Sequence, residues 1–289
     1  MSYHDIRTMS FNLTPSETDA LRKQRYNSES TIRLGLEISG FESFVVFNSE
    51  LMNNISSVYQ KDKKLSLLSA QVPADALNQF VTKSMIDEIQ QSNEVENVDS
   101  TRKEIKDAVA AVKTGKRPIR FTSMVRKYMY IKSETDIPLL NCDDVRSLYD
   151  DFILDEVIRE DPKDAPDGDI FRKEPVHIAN SRGENVHDGL FPESKIILSM
   201  GSALDILNNE NIDILIRVAL FHYFFGYIHP FYNGNGRMAR FISSYKLSHD
   251  FSKAACLRTS YVIKEHRKKY YSMFKHANDK RNRGDGDFP

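Results

Sequence analysis

The chain has 289 residues, 40% of them hydrophobic and 28% charged, with a formal net charge of −1. That is apolar material enough for one large or two closely packed domains, and so small a net charge gives no electrostatic reason to expect nucleic acid or an anionic membrane as partner. The N-terminal stretch lacks an apolar core of signal-peptide length, no run reaches the roughly 18 apolar residues of a membrane span, and Cys142 and Cys256 make neither a metal-binding spacing nor a disulfide framework, so a reducing, cytoplasmic setting is expected.

In chain order, residues 1–50 read as polar with helical stretches, among them 16–39, which carries Leu21, Ile32, Leu34, Leu36 and Ile38; a short apolar run follows at 41–47. Residues 49–59 place Leu51, Met52, Ile55 and Val58 at helical spacing. Pro73 opens a further helix whose stripe is Leu77, Phe80, Val81, Met85, Ile86 and Ile89. Residues 101–135 continue as helix, with a solvent-facing basic turn at 113–120, and residues 137–156 form another amphipathic helix on which the adjacent Asp150 and Asp151 point apart and are solvated. After an acidic, proline-containing loop at 161–169, residues 170–178 alternate around Val176 and Ile178 and reach a turn signal at 180–183, which predicts a small β-hairpin. Residues 192–208 are helical, and 212–228 are apolar almost all round, which marks a central buried helix with His222 as a satisfied core residue. A helix carrying Phe241, Ile242, Tyr245 and Leu247 and a last one over 263–281 complete the chain, and 284–289 read as a tail.

The chemistry concentrates between the apolar segment 212–228 and the helix carrying Phe241, in the run His229-Pro230-Phe231-Tyr232-Asn233-Gly234-Asn235-Gly236-Arg237-Met238-Ala239-Arg240. Gly234 and Gly236 can adopt positive φ and turn backbone N–H groups toward one point. A helix starting there adds its own free N–H groups and dipole, which suits a phosphate. Arg237 and Arg240, one turn apart, supply fixed positive charge and bidentate donors. His229 is the side chain best suited to exchange a proton near neutral pH.

This run resembles the Fic/Doc family signature H-x-F-x-[D/E]-G-N-G-R-x-x-R. The resemblance implies an all-α Fic fold, a helical bundle around a buried central helix with a short β-hairpin flap. It also implies transfer of AMP from ATP to a hydroxyl of a target protein. By that resemblance His229 is the base, Phe231 a buried anchor, and Gly234, Asn235 and Gly236 the anion hole. Arg237 would bind the phosphates and Arg240 the γ-phosphate, with pyrophosphate leaving. The glycine at 236 favours the orientation for AMP transfer, since Doc-type kinases lack it. Asn233 departs from the signature: it stands where the family carries the Asp or Glu that holds Mg²⁺, and a neutral amide oxygen is a weaker ligand for that hard cation.

Three further stretches fit the same family. Ser92, Glu96 and Asn97 match the inhibitory-helix pattern [S/T]-x-x-x-E-[G/N], in which the glutamate pairs with the second arginine, here Arg240, and takes the place of the γ-phosphate. Val176, His177 and Ile178, after the Phe171-Arg172 pair, match the flap that holds a target segment by strand addition. Tyr271 and Asn278 match a tyrosine and an asparagine bordering the adenine. The expectation is therefore an N-terminal helical region over 1–110 with the inhibitory helix, and a catalytic domain over 111–283. The whole would be a self-inhibited protein AMP-transferase using ATP and Mg²⁺ on a target protein hydroxyl, with no nucleic-acid or membrane partner; a homodimer stays open. Two alternatives remain, a transferase of another phosphate-containing group and a non-catalytic nucleotide-binding or interaction module.

Overall fold

The computed structural model describes residues 3–179 and 185–286. Its contacts divide the chain into two compact units, residues 1–63 with 268–289, and residues 64–267. These bounds differ from the segments expected from sequence, because the helix carrying Glu96 folds inside the second unit.

In the first unit, helix α1 (Ile6–Met9) precedes α2 (Pro15–Tyr26), which starts at a capping box between Thr14 and Glu17. The helical reading of 16–39 fails beyond Tyr26. Strands β1 (Thr31–Ile38) and β2 (Phe41–Val46) form an antiparallel hairpin with Ile38 opposite Phe41. The apolar residues 32, 34, 36 and 38 recur every second position, which is the strand period, and Ser39 and Gly40 both take positive φ (53° and 85°), as a two-residue hairpin turn requires. Residues 284–286 are not a tail either. Phe44 N donates to the Gly284 carbonyl (2.9 Å) and Gly286 N to the Phe44 carbonyl (2.7 Å). Asp285, 2% exposed, accepts from the Tyr3 hydroxyl (2.6 Å) and pairs with Arg25 (2.6 Å). The rest of the expected tail, 287–289, lies outside the described residues.

Helix α3 (Ser49–Ser69) leads into the second unit, which is mostly helical. It contains α4 (Ala74–Val95), α5 (Arg102–Thr114), α6 (Thr122–Ser133) and α7 (Cys142–Tyr149), the last running through a π turn (Asp150–Leu154) into α8 (Asp155–Glu160). After a 3-10 turn (Pro162–Asp164) come β3 (His177–Ala179) and β4 (Asn185–Asp188), then α9 (Glu193–Asn208), α10 (Ile214–Ile228), α11 (Asn235–Leu247), α12 (Lys253–Cys256) and α13 (Thr259–Glu265). The helix expected at 101–135 is two, because Gly115 ends α5 in the left-handed conformation at φ 62°. The one expected at 137–156 starts only at Cys142, where Asn141 caps it. The last expected helix breaks at His266, and its second piece is Arg267–Ala277. Phe80, assigned to the buried stripe of α4, is 53% exposed, whereas Val81, Met85, Ile86 and Ile89 are buried. Asp150 pairs with Arg146 (2.9 Å) and Asp151 with Lys127 (3.0 Å), so the two point apart as expected.

Helix α10 is the centre of this unit. It packs between α9 and α11, and Val218, Phe221 and Phe225, which lie off its main apolar stripe, are buried as well. Its His222 is hydrogen-bonded to the Ser243 hydroxyl (2.9 Å). No helix among the described residues is long and apolar enough to cross a membrane.

Candidate functional site

A buried apolar helix gives the motif a rigid support. At the C-terminal end of α10, His229 takes φ 53° and still donates its N–H to the Phe225 carbonyl (3.0 Å). The fully buried Arg172 fixes the backbone there, donating to the carbonyls of His229 (2.9 Å), Glu174 (2.6 Å) and Leu190 (2.9 Å). Phe231 anchors the loop that follows: its ring stacks on Tyr149 at 3.7 Å between centroids and meets Phe171 edge-on at 5.4 Å. Asn235 closes the same loop. Its Oδ1 accepts from Phe231 N (3.0 Å) and its Nδ2 donates to the Phe231 carbonyl (2.8 Å), so this side chain braces the loop. Gly234 (φ 79°) then turns the chain into α11.

His229 Nδ1 lies 3.3 Å from the Gly226 carbonyl. A carbonyl only accepts, so Nδ1 carries the hydrogen and Nε2 keeps the lone pair. Burial pushes the pKa of this imidazole down to about 4, further than its hydrogen bond and the Glu96 charge raise it, and Arg172 and His187 add to the lowering. The ring is therefore neutral at physiological pH.

Arg240, 1% exposed, reaches α4 with all three of its nitrogens. Nε donates to Ser92 Oγ (3.0 Å), one terminal nitrogen to the Ser92 carbonyl (2.9 Å), and the other pairs with Glu96 Oε1 at 2.8 Å. Glu96 caps the C-terminus of α4, where the helix dipole disfavours a carboxylate. Burial too would raise its pKa, but the charge and hydrogen bond of Arg240, with help from Arg237 and His229, outweigh it and hold the pKa below the ordinary glutamate value. Asn97 follows in the left-handed conformation (φ 57°), a place that favours Gly or Asn. The carboxylate of Glu96 lies directly on the first turn of α11, since a β-carbon at Gly236 would overlap it and also come 2.8 Å from Arg240. An anion thus already sits at a helix N-terminus beside two arginines.

Arg237, with no exposed surface, is held differently. Its terminal nitrogens face Glu160 (3.2 and 3.4 Å) and Asn233 Oδ1 (3.2 Å), while its buried Nε has no partner among the described residues. Asn233 in turn accepts from Gly234 N (2.7 Å) and donates to Asp164 Oδ2 (3.0 Å). Glu160 and Asp164 were missed from sequence. They lie about seventy residues before the motif, in and beside a stretch whose composition reads as a solvated acidic loop, and no spacing links them to it.

The residues expected to form a flap lie in or beside a β-hairpin. Strand β3 pairs antiparallel with β4, with Ile178 opposite His187; Val176 accepts from Gly189 N (3.0 Å), and His177 pairs with Asp188 (2.5 Å). The expected turn at 180–183 falls outside the described residues. Tyr271 and Asn278 belong to the first unit, not to the one that holds the motif. Tyr271 is 46% exposed and packs edge-on against Tyr270 (5.2 Å), and the Asn278 carbonyl accepts from the Ser39 hydroxyl (2.8 Å).

The sequence profile of the Fic/DOC family matches residues 139–247, which span the β3–β4 hairpin and the whole run 229–240. Among solved structures, a Fic family protein from Desulfovibrio desulfuricans G20 is similar at 23% identity over 82% of this chain and 69% of its own, with a TM-score of 0.61. Fic-1 (residues 134–508) from C. elegans is similar at 17% identity over 96% of this chain and 74% of its own, with a TM-score of 0.50. At those identities the likeness speaks for the fold, and the profile match speaks for the family. The chain carries a Fic/DOC family domain at residues 139–247.

Proposed function

We propose that this protein transfers AMP from ATP to a hydroxyl of a target protein and that Glu96 restrains it. The observation that carries this reading is the Glu96 carboxylate, held 2.8 Å from Arg240 and against Gly236 where a nucleotide phosphate would bind. The N–H groups at the start of α11 and the two arginines would bind the triphosphate once Glu96 has withdrawn. His229, neutral and with its lone pair on Nε2, would take the proton of the target hydroxyl. The hydroxyl oxygen would then attack the α-phosphorus, and pyrophosphate would leave. The β3–β4 hairpin offers backbone groups that would align the target segment.

Among the described residues no group of three His, Cys, Asp or Glu side chains forms a metal cage. The oxygen donors beside the loop nevertheless suit a Mg²⁺ that keeps several waters and is held largely by substrate phosphates. That ion, when bound, neutralises phosphate charge.

The test is the intact mass of purified wild-type, Glu96→Gly and Glu96→Gly/His229→Ala proteins after incubation with ATP and Mg²⁺ or Mn²⁺. An AMP adduct only or mainly in Glu96→Gly, lost with His229, is the expected result. No adduct in Glu96→Gly with either metal contradicts the reading. The commitment of Arg237 to Glu160 would then favour the second one, a nucleotide-binding module without transfer.

A further inference from the structure

The proposed function leaves a gap at Asn233, and the geometry around it supplies what the position lacks. Asn233 cannot readily offer its amide oxygen to a cation, because that oxygen already accepts from Gly234 N (2.7 Å) and from Arg237 (3.2 Å). Its amide nitrogen points the other way and donates to Asp164 Oδ2 at 3.0 Å. A carboxylate therefore stands one hydrogen bond beyond the position at which the signature carries its own. The two are alternatives. Were residue 233 an aspartate or glutamate, its second oxygen would face the Asp164 carboxylate across this contact, and two like charges so close are unfavourable. With an amide between them, Arg237, Asn233 and Asp164 form a charge-ordered row of cation, dipole and anion.

Two more observations point to a ligand here. Nothing among the described residues donates to the other Asp164 oxygen, Oδ1, and the residue is only half-buried, at the end of a short 3-10 turn. Beside it the completely buried Arg237 has an Nε without a partner, a donor that a phosphate oxygen would satisfy.

We propose that Asp164, through Oδ1, is the carboxylate that receives the divalent cation arriving with the nucleotide, and that Asn233 orients it. This rests on the reading of the site as a nucleotide triphosphate site. The acidic ligand has moved from the motif loop to the turn before the flap, and the charge of the site is conserved although the motif position is neutral.

The experiment uses the full chain in the Glu96→Gly background, with α,β-methylene ATP as nucleotide and Mn²⁺ as cation. Nucleotide binding is measured by calorimetry in EDTA, and Mn²⁺ binding to the nucleotide complex by the loss of the free-ion EPR signal. Asp164→Asn is expected to weaken Mn²⁺ binding by about tenfold or more and to leave metal-free nucleotide binding nearly unchanged. The exchanged pair Asp164→Asn/Asn233→Asp returns the carboxylate to the loop and is expected to recover most of the affinity. Mn²⁺ binding by Asp164→Asn equal to that of its parent overturns the assignment while the nucleotide site stands. Absence of nucleotide binding in the Glu96→Gly parent overturns the nucleotide reading and this assignment with it.

Discussion

His229 has its neighbours arranged to keep it uncharged and pointing one way. The Gly226 carbonyl fixes the hydrogen on Nδ1, Arg172 holds the backbone carbonyl, and burial lowers the pKa to about 4. Removing Glu96 takes away one of the charges that raise that value. In Glu96→Gly the transfer rate should therefore show no acid limb near pH 6.5, the ordinary histidine value, and stay level down to about pH 5. A pH profile at saturating ATP checks this; an acid limb centred near 6.5 would mean the imidazole is not buried as described. The sequence made the residue types at this site legible, because the whole signature is contiguous. It could not reveal that Asn235 spends its side chain on Phe231, or that Glu160 and Asp164 close on Arg237 and Asn233, since those contacts depend on the fold and not on spacing.

Helix α4 owes its place in the site to its last turn. Glu96 ends the helix, Asn97 turns the chain out of it at φ 57°, and Arg267 donates to the Val95 carbonyl (2.9 Å). A β-branched residue at 97 would resist the left-handed conformation at a cost of roughly 1–2 kcal/mol. Asn97→Val should thus lower the urea midpoint and also raise ATP affinity, by loosening Glu96; Asn97→Gly should do neither. Equal urea midpoints for the two variants would show that the turn carries no such constraint. The helical period of α4 and α10 was plain in the sequence, and both follow it over most of their length. The β1–β2 hairpin was missed although its signal was present: Ile32, Leu34, Leu36 and Ile38 alternate, but they follow a genuine helix with no Gly or Pro between. Helix boundaries were misplaced where a single residue decides them, as with the cap Asn141 and the left-handed Gly115.

Across the molecule, three buried titratable groups set opposing slopes of stability with pH. His222 and His229 both have pKa values lowered from 6.5 to about 4, chiefly by burial, so their contribution is present above 6.5 and is lost as pH falls through about 4. Glu88, which accepts from the backbone N–H and hydroxyl of Ser260, is raised by burial from 4.5 to about 7; its contribution is complete below 4.5 and is lost as pH rises through about 7. Between pH 6.5 and 4.5 the unfolded chain therefore binds two more protons at the histidines and one fewer at Glu88, and stability should fall as pH falls. Urea midpoints at pH 6.5 and 4.5 measure it. Glu88→Gln, which removes the opposing group, should steepen the fall, and a midpoint that rises toward pH 4.5 would contradict the assignment of these groups as buried. The burial of His222 was legible in sequence, from the apolar helix around it; that of Glu88 was not, since there it is one acid among many on a helix.

The central claim is that Glu96 and a nucleotide phosphate compete for Arg240, and calorimetric titration of ATP and of AMP into wild-type and Glu96→Gly proteins tests it most directly. Loss of a partly buried carboxylate from the phosphate site should strengthen ATP binding by about tenfold or more, given the roughly 1.5–3 kcal/mol typical of charge-assisted hydrogen bonds, while AMP, which has no γ-phosphate to place at Arg240, should change little. Equal ATP affinities for the two proteins would contradict the claim and leave the Glu96–Arg240 pair as a structural contact alone.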